Sequence, residues 1–273
     1  MTPNLERFAE LVAREQFGLA EPCLMLAEDQ YPGLDIAACV AKLDAIAVTV
    51  RGRLAPDAPA EQKVAALNAH LFGELGFCGN AAAYYDPRNS YLNEVLDRRT
   101  GIPITLSIVY LEIGRRLGLR IQGVSFPGHF LVKLRLARGA LVLDPFSGGE
   151  PCSATALRTR LDQVLPGRPE LEPYLAPATP REIVARVLRN LKGIYLESAQ
   201  HERALAVMHR LVLAVPESAE ELRDRGLVHA ALECFRPALA DLQSYLRRRP
   251  DAPDAADIHA RVVELRVAAS RLQ

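Results

Sequence analysis

With 273 residues the chain has room for one large domain or two modest ones, and its 49% hydrophobic and 24% charged content excludes a disordered chain. Thirty-three basic residues balance thirty-three acidic ones, so no global field draws it to nucleic acid or anionic lipid. Five cysteines (Cys23, Cys39, Cys78, Cys152, Cys234) are odd in number and lack CxxC spacing, so neither a disulfide framework nor a zinc site is expected, and no metal or cofactor.

The opening MTPNLERFAELVAREQ carries Glu6, Arg7 and Glu10 where a signal peptide needs unbroken apolar residues. No run approaches the ~18 apolar residues of a membrane span. A cytoplasmic location and no membrane partner are expected. Residues 3–75 read as helical, with Leu5, Phe8, Leu11 and Val12, and later Leu43, Ile46, Val50 and Leu54, on single helix faces. Asp86-Pro87 signals a turn, followed by a short helix LNEVLDRR that stops at Gly101. Pro103 then opens a strongly apolar helix, with Gly118 as its C-terminal cap. Strands centred on 121–126, 129–136 and 140–144 follow, giving an α+β order with a small antiparallel sheet. The Pro-rich stretch 165–180 reads as a linker.

Beyond it, residues 181–273 are all helical in pattern and contain a repeat. Pro216 and Pro250, Ala204 and Ala238, Leu188 and Leu222, and Met208 and Leu242 are each 34 residues apart. That is the tetratricopeptide period, with small residues where helices pack closely and proline closing each unit. Lys192 stands where the repeat prefers glycine, which Gly226 supplies one period later. Two repeats and a terminal helix near 254–271 are expected. His201, His209 and His229 on these helices are expected to be partly exposed. Arg247-Arg248-Arg249 reads as a helix end, not a nucleic-acid patch.

Chemistry is suggested by one pair. His129, in GVSFPGHFLVK, and Asp144, in LVLDPF, lie on β-like segments joined by a turn at Arg138-Gly139. A histidine steered by an aspartate is two-thirds of a nucleophilic triad. The helix before it, GIPITLSIVYLEIGRRLG, has no cysteine.

The segments YYDPRNSYLNEVL, GIPI and FPGHF, with DPFSGG at 144–149 and the helical repeats, resemble the transglutaminase-like family of bacterial SirB-one-type proteins. The resemblance implies a transglutaminase- or papain-like α+β domain over 1–164, a linker at 165–180 and tetratricopeptide-like helices over 181–273. It also implies a Cys–His–Asp arrangement in active relatives, with His129 and Asp144 at the family's histidine and aspartate. The nucleophile position falls between Pro103 and Thr105, where no thiol stands, and proline removes an N–H that could serve an oxyanion.

Three readings follow: a binding module that keeps His129 and Asp144 as a structural pair; a hydroxyl nucleophile, Thr105 or Ser107; or a thiol from a neighbouring loop, Cys78 in FCGN. The missing cysteine points to the first, a non-catalytic interaction or regulatory protein. Its repeats would take a protein or peptide partner in their groove. The alternative is an amide hydrolase or acyltransferase built on His129 and Asp144. Asp86, Arg88, Asn89 and Asn93 form a polar cluster suited either to a ligand groove or to capping the next helix. Tyr84, Tyr85 and Tyr91 are expected in the core, and Gly148-Gly149 in a turn.

Overall fold

The computed structural model describes residues 2–165, 167 and 169–270. In chain order the helices and strands are α1 (Pro3–Val12), α2 (Ala20–Met25), α3 (Ile36–Arg51), α4 (Ala60–Asn68), β1 (Cys78–Gly79), α5 (Leu92–Arg98), β2 (Thr100–Gly101) and α6 (Pro103–Arg116). They continue as β3 (Ile121–Val124), β4 (Leu131–Arg135), β5 (Ala140–Asp144), β6 (Glu150–Pro151), α7 (Ala154–Val164), α8 (Pro180–Glu197), α9 (His201–Ala214), α10 (Ala219–Ala231), α11 (Phe235–Arg248) and α12 (Ala255–Ser270). Two compact units result: Gln16–Val187, and Met1–Glu15 together with Leu188–Gln273. None of the described helices is long and apolar enough to cross a membrane.

The α+β unit is built around α6. Every residue from Pro103 to Gly114 is buried, as befits a helix that is apolar nearly all round. Gly118, at φ +74°, ends it, and the Leu119 amide donates back to the Gly114 carbonyl at 2.9 Å. Four strands follow as an antiparallel sheet in the order β3-β4-β5-β6. The β4–β5 turn needs Gly139 at φ +83°. One face of the sheet, through Val124, Leu131 and Val142, packs with Phe126 and with Leu157 and Leu161 of α7. The Pro-rich stretch is ordered against this unit: Leu171 is buried, Pro177 bridges Val124, and the Ala178 amide donates to the Gly123 carbonyl. Pro166 and Arg168 of that stretch lie outside the described residues.

In the second unit, α8 from Leu188 onward and α9–α12 follow the 34-residue period, while Pro180–Val187 of α8 belong to the first. Ala204 and Ala238 are fully buried, as are Met208 and Leu242. A Cβ on Gly226 would come within 2.9 Å of the Leu242 side chain, which is why the repeat wants glycine there. Pro216 and Pro250 each lie two residues past the end of a helix, where they cannot continue it. Helix α1 packs on α9. Arg271, expected in the terminal helix, lies outside the described residues. His229 is a correction: it is buried, its ring 5.6 Å from that of His209, because its position on α10 faces inward.

Candidate functional site

The hairpin delivers the expected pair. His129 sits in the turn before β4, Asp144 is the last residue of β5, and Val132 pairs with Leu143, so the ladder brings the two side by side. His129 Nε2 lies 2.9 Å from Asp144 Oδ1. The aspartate is only 2% exposed and every lone-pair direction is used. Oδ1 also accepts from the Phe146 amide at 3.1 Å, capping the short 3-10 turn Pro145–Ser147. Oδ2 takes the Ser147 hydroxyl at 3.2 Å and an Arg160 guanidinium nitrogen at 3.1 Å. Burial works against the charged form of Asp144. Its bonds to His129 and Arg160 outweigh that and hold the carboxyl below its ordinary range.

The histidine turn is fixed from α8. Arg186 donates to the Ser125 hydroxyl at 2.7 Å, the Phe126 carbonyl at 3.2 Å and the His129 carbonyl at 2.7 Å. Its guanidinium lies over the Phe130 ring, 5.6 Å from the centroid. Burial lowers its pKa. The Phe146 ring stands edge-on to the imidazole at 6.0 Å. A Cβ on Gly79 would meet that same ring at 2.4 Å, so β1 lies directly against it. The DPFSGG loop has its own anchor. Tyr110 on α6 donates to Asn68 Oδ1 at 2.8 Å, and the Asn68 amide donates to the Gly149 carbonyl at 2.9 Å. A π-helical turn, Ala69–Glu74, begins immediately after Asn68 and sets Phe72 in a stack on Tyr110.

At the expected nucleophile position, Pro103 is the first residue of α6 and Thr105 its third. The Thr105 hydroxyl donates to the Asn89 carbonyl at 2.7 Å and accepts from the Ile102 amide at 3.1 Å. It is thus spent on capping the helix. Ser107 is fully buried and its hydroxyl has no partner among the described residues. Cys78 lies in a strand rather than a turn: β1 pairs parallel with β2, and the exposed thiol sits 3.8 Å from the Thr100 hydroxyl. Among the described residues Asp144 is the imidazole's one hydrogen-bond partner, and no thiol or hydroxyl meets the other ring nitrogen.

The polar cluster does not share one surface. The Asp86 carboxylate accepts from the Arg88 amide at 2.9 Å and grips its guanidinium through both oxygens. Asn89 is fully buried, donating to the Ala83 and Tyr84 carbonyls and accepting from Asn80. Asn93 is buried, with Oδ1 unpartnered among the described residues. Tyr91 is in the core, but Tyr84 and Tyr85 are 37% and 68% exposed. This corrects the expectation: Asn89 draws the Ala83 and Tyr84 carbonyls inward, and both rings stay outside. Arg160, Arg186, Asn68 and Tyr110 carried no signal in the sequence. Each acts on a residue 16 or more positions away.

Comparison with known proteins agrees with the two-part fold. A family model described as transglutaminase-like superfamily matches residues 37–189, and a tetratricopeptide repeat model matches residues 191–262. A UPF0162 protein of Xylella fastidiosa is 40% identical over 255 residues, covering 92% of this chain and 91% of that protein. A UPF0162 protein of Pseudomonas aeruginosa is 29% identical over 96% of both chains. Protein SirB1 of Salmonella typhimurium is 30% identical over 204 residues, 74% of this chain and 76% of its own. The chain belongs to the transglutaminase-like superfamily, in the group that SirB1 and the UPF0162 proteins form, with tetratricopeptide repeats at its C-terminal side.

Proposed function

We propose that the chain is a non-catalytic member of this family, an interaction or regulatory module whose repeats take a protein or peptide partner. The observation that carries this reading is the imidazole of His129, bonded to Asp144 and, among the described residues, to no thiol or hydroxyl. Nucleophilic catalysis needs a base within hydrogen-bond reach of its nucleophile. The start of α6 supports the same reading. There a thiolate would gain from the helix dipole, but the chain offers proline, isoleucine and a threonine already spent on Asn89. The balanced charge favours a protein partner over nucleic acid, and a cytoplasmic setting fits the unpaired cysteines.

One observation favours a rival reading. Cys78 is exposed on β1, whose Gly79 abuts the same Phe146 ring that flanks His129. A hydrolase or acyltransferase would then draw its thiol from β1. Ammonia release from glutaminyl peptides, measured for the parent chain, His129→Ala and Cys78→Ala, separates the two. The binding reading expects the same background in all three. Turnover by the parent that both variants abolish would establish the rival.

A further inference from the structure

We propose that a depression at the open end of the β3–β4 hairpin, away from the His129 turn, binds a small phosphate-bearing anion. The Arg135 amide donates to the Arg120 carbonyl at 2.8 Å, extending the ladder one pair beyond Ile121 and Leu134. Arg120 and Arg135 are therefore directly opposite each other. Opposite residues of an antiparallel ladder project from the same face, with Cα atoms about 5.5 Å apart in a hydrogen-bonded pair. Like charges so placed repel each other. Both residues line a depression of about 550 Å³ whose remaining wall includes Lys63, Gly118, Leu136 and Gly139. Among the described residues no carboxylate lines it. Among the described residues neither arginine has an ion-pair partner, whereas Arg116, Arg160, Arg189, Arg223 and Arg225 all do.

Lys63 adds a third cation. Its ammonium donates to the Leu117 carbonyl at 3.0 Å and thereby covers the negative end of α6, which would otherwise oppose an anion. An ammonium has three donors, so two remain for a ligand. Gly118 at φ +74° and Gly139 at φ +83° contribute wall without side chains. Three cationic residues, with no acid among the described lining residues, match the charge of a diphosphate, and guanidinium groups suit phosphate oxygens in bidentate pairs. The volume leaves space for more than one phosphate group. A nucleotide or sugar phosphate and a phospholipid headgroup share this chemistry.

The test uses the full chain. Sodium pyrophosphate is titrated at constant ionic strength while the amide resonances of Gly118 and Gly139 are followed. In parallel, vesicles of phosphatidylglycerol and phosphatidylcholine are sedimented with the protein. Saturation in the first arm assigns a free phosphorylated ligand; in the second, a headgroup. Arg120→Gln and Arg135→Gln should each weaken the responding arm about tenfold, the loss of one charge-assisted bond. Both sites are exposed, and relieving the repulsion should leave the Tm equal to or above the parent's. Failure to saturate in either arm, or binding that both variants retain in full, overturns the proposal.

Discussion

The two units spend their buried charge differently. In the α+β unit buried carboxylates act as hubs: Asp144 gathers a histidine from one turn, a serine and an amide from its own turn, and an arginine from α7, and Glu112 gathers Arg115, Arg116 and the Leu19 amide. In the repeat unit the buried acids lock neighbouring helices in pairs. Glu221 meets Arg189 and Lys192, and Asp241 grips Arg225 through two bonds of 2.7 Å. A hub makes many segments depend on one residue, whereas pairs spread the dependence along the stack. The first arrangement belongs to a fold with long connections, the second to one in which each helix meets only its neighbours.

The largest effect should come from Asp144→Ala, which leaves the Arg160 charge and the Phe146 amide without their acceptor. Removing one member of a buried pair predicts a loss of about 3 kcal/mol, reduced from the fully buried case because Arg160 reaches solvent. Urea unfolding measures it, and a loss below about 1 kcal/mol would show that Asp144 is no hub.

Acid should break the comparison from the other side. His209 on α9 is pushed down to about 4 from an ordinary 6.5, first by burial, then by Arg225, His229 and Arg210, with Asp241 opposing them. The unfolded chain therefore binds a proton that the folded one refuses, and stability is lost as pH falls from about 6.5 to about 4. Asp144 is shifted in the same direction, from a lower ordinary value. Its contribution is intact above its ordinary carboxylate value and is lost only below it. On acidification the repeat unit should weaken first, by on the order of 1–2 kcal/mol after solvent screening. Circular dichroism melts at pH 7 and pH 5 read this, and His209→Gln should flatten the dependence.

The smallest effect tests the helix start. Thr105→Val removes a capping hydroxyl and should cost about 1 kcal/mol. Chemical denaturation would reveal it. A neutral result would mean that the Asn89 and Ile102 bonds contribute nothing net.

What was legible in the sequence was whatever repeats or sits close along the chain. The 34-residue spacing of Ala204 and Ala238 carried the helical stack, and Pro103 with Gly118 bounded the central helix. His129 and Asp144 were visible because a short hairpin separates them. Arg160 and Arg186 were not, because an arginine on a helix face reads as solvated until the fold shows which loop lies under it. Tyr84 and Tyr85 misled for the converse reason. Aromatic rings usually seek the core, but here the backbone carbonyls of Ala83 and Tyr84 are the groups that Asn89 draws inward.

The Arg186 clamp has a mechanical consequence. A planar fork that holds a hydroxyl and two carbonyls of one turn, while lying over the next residue's ring, removes nearly all independent freedom from that turn. The turn and the first half of α8 then move as one body, and the imidazole travels with the helix rather than swinging on its own loop. Its position is set as a gear tooth is set, by the shaft that carries it.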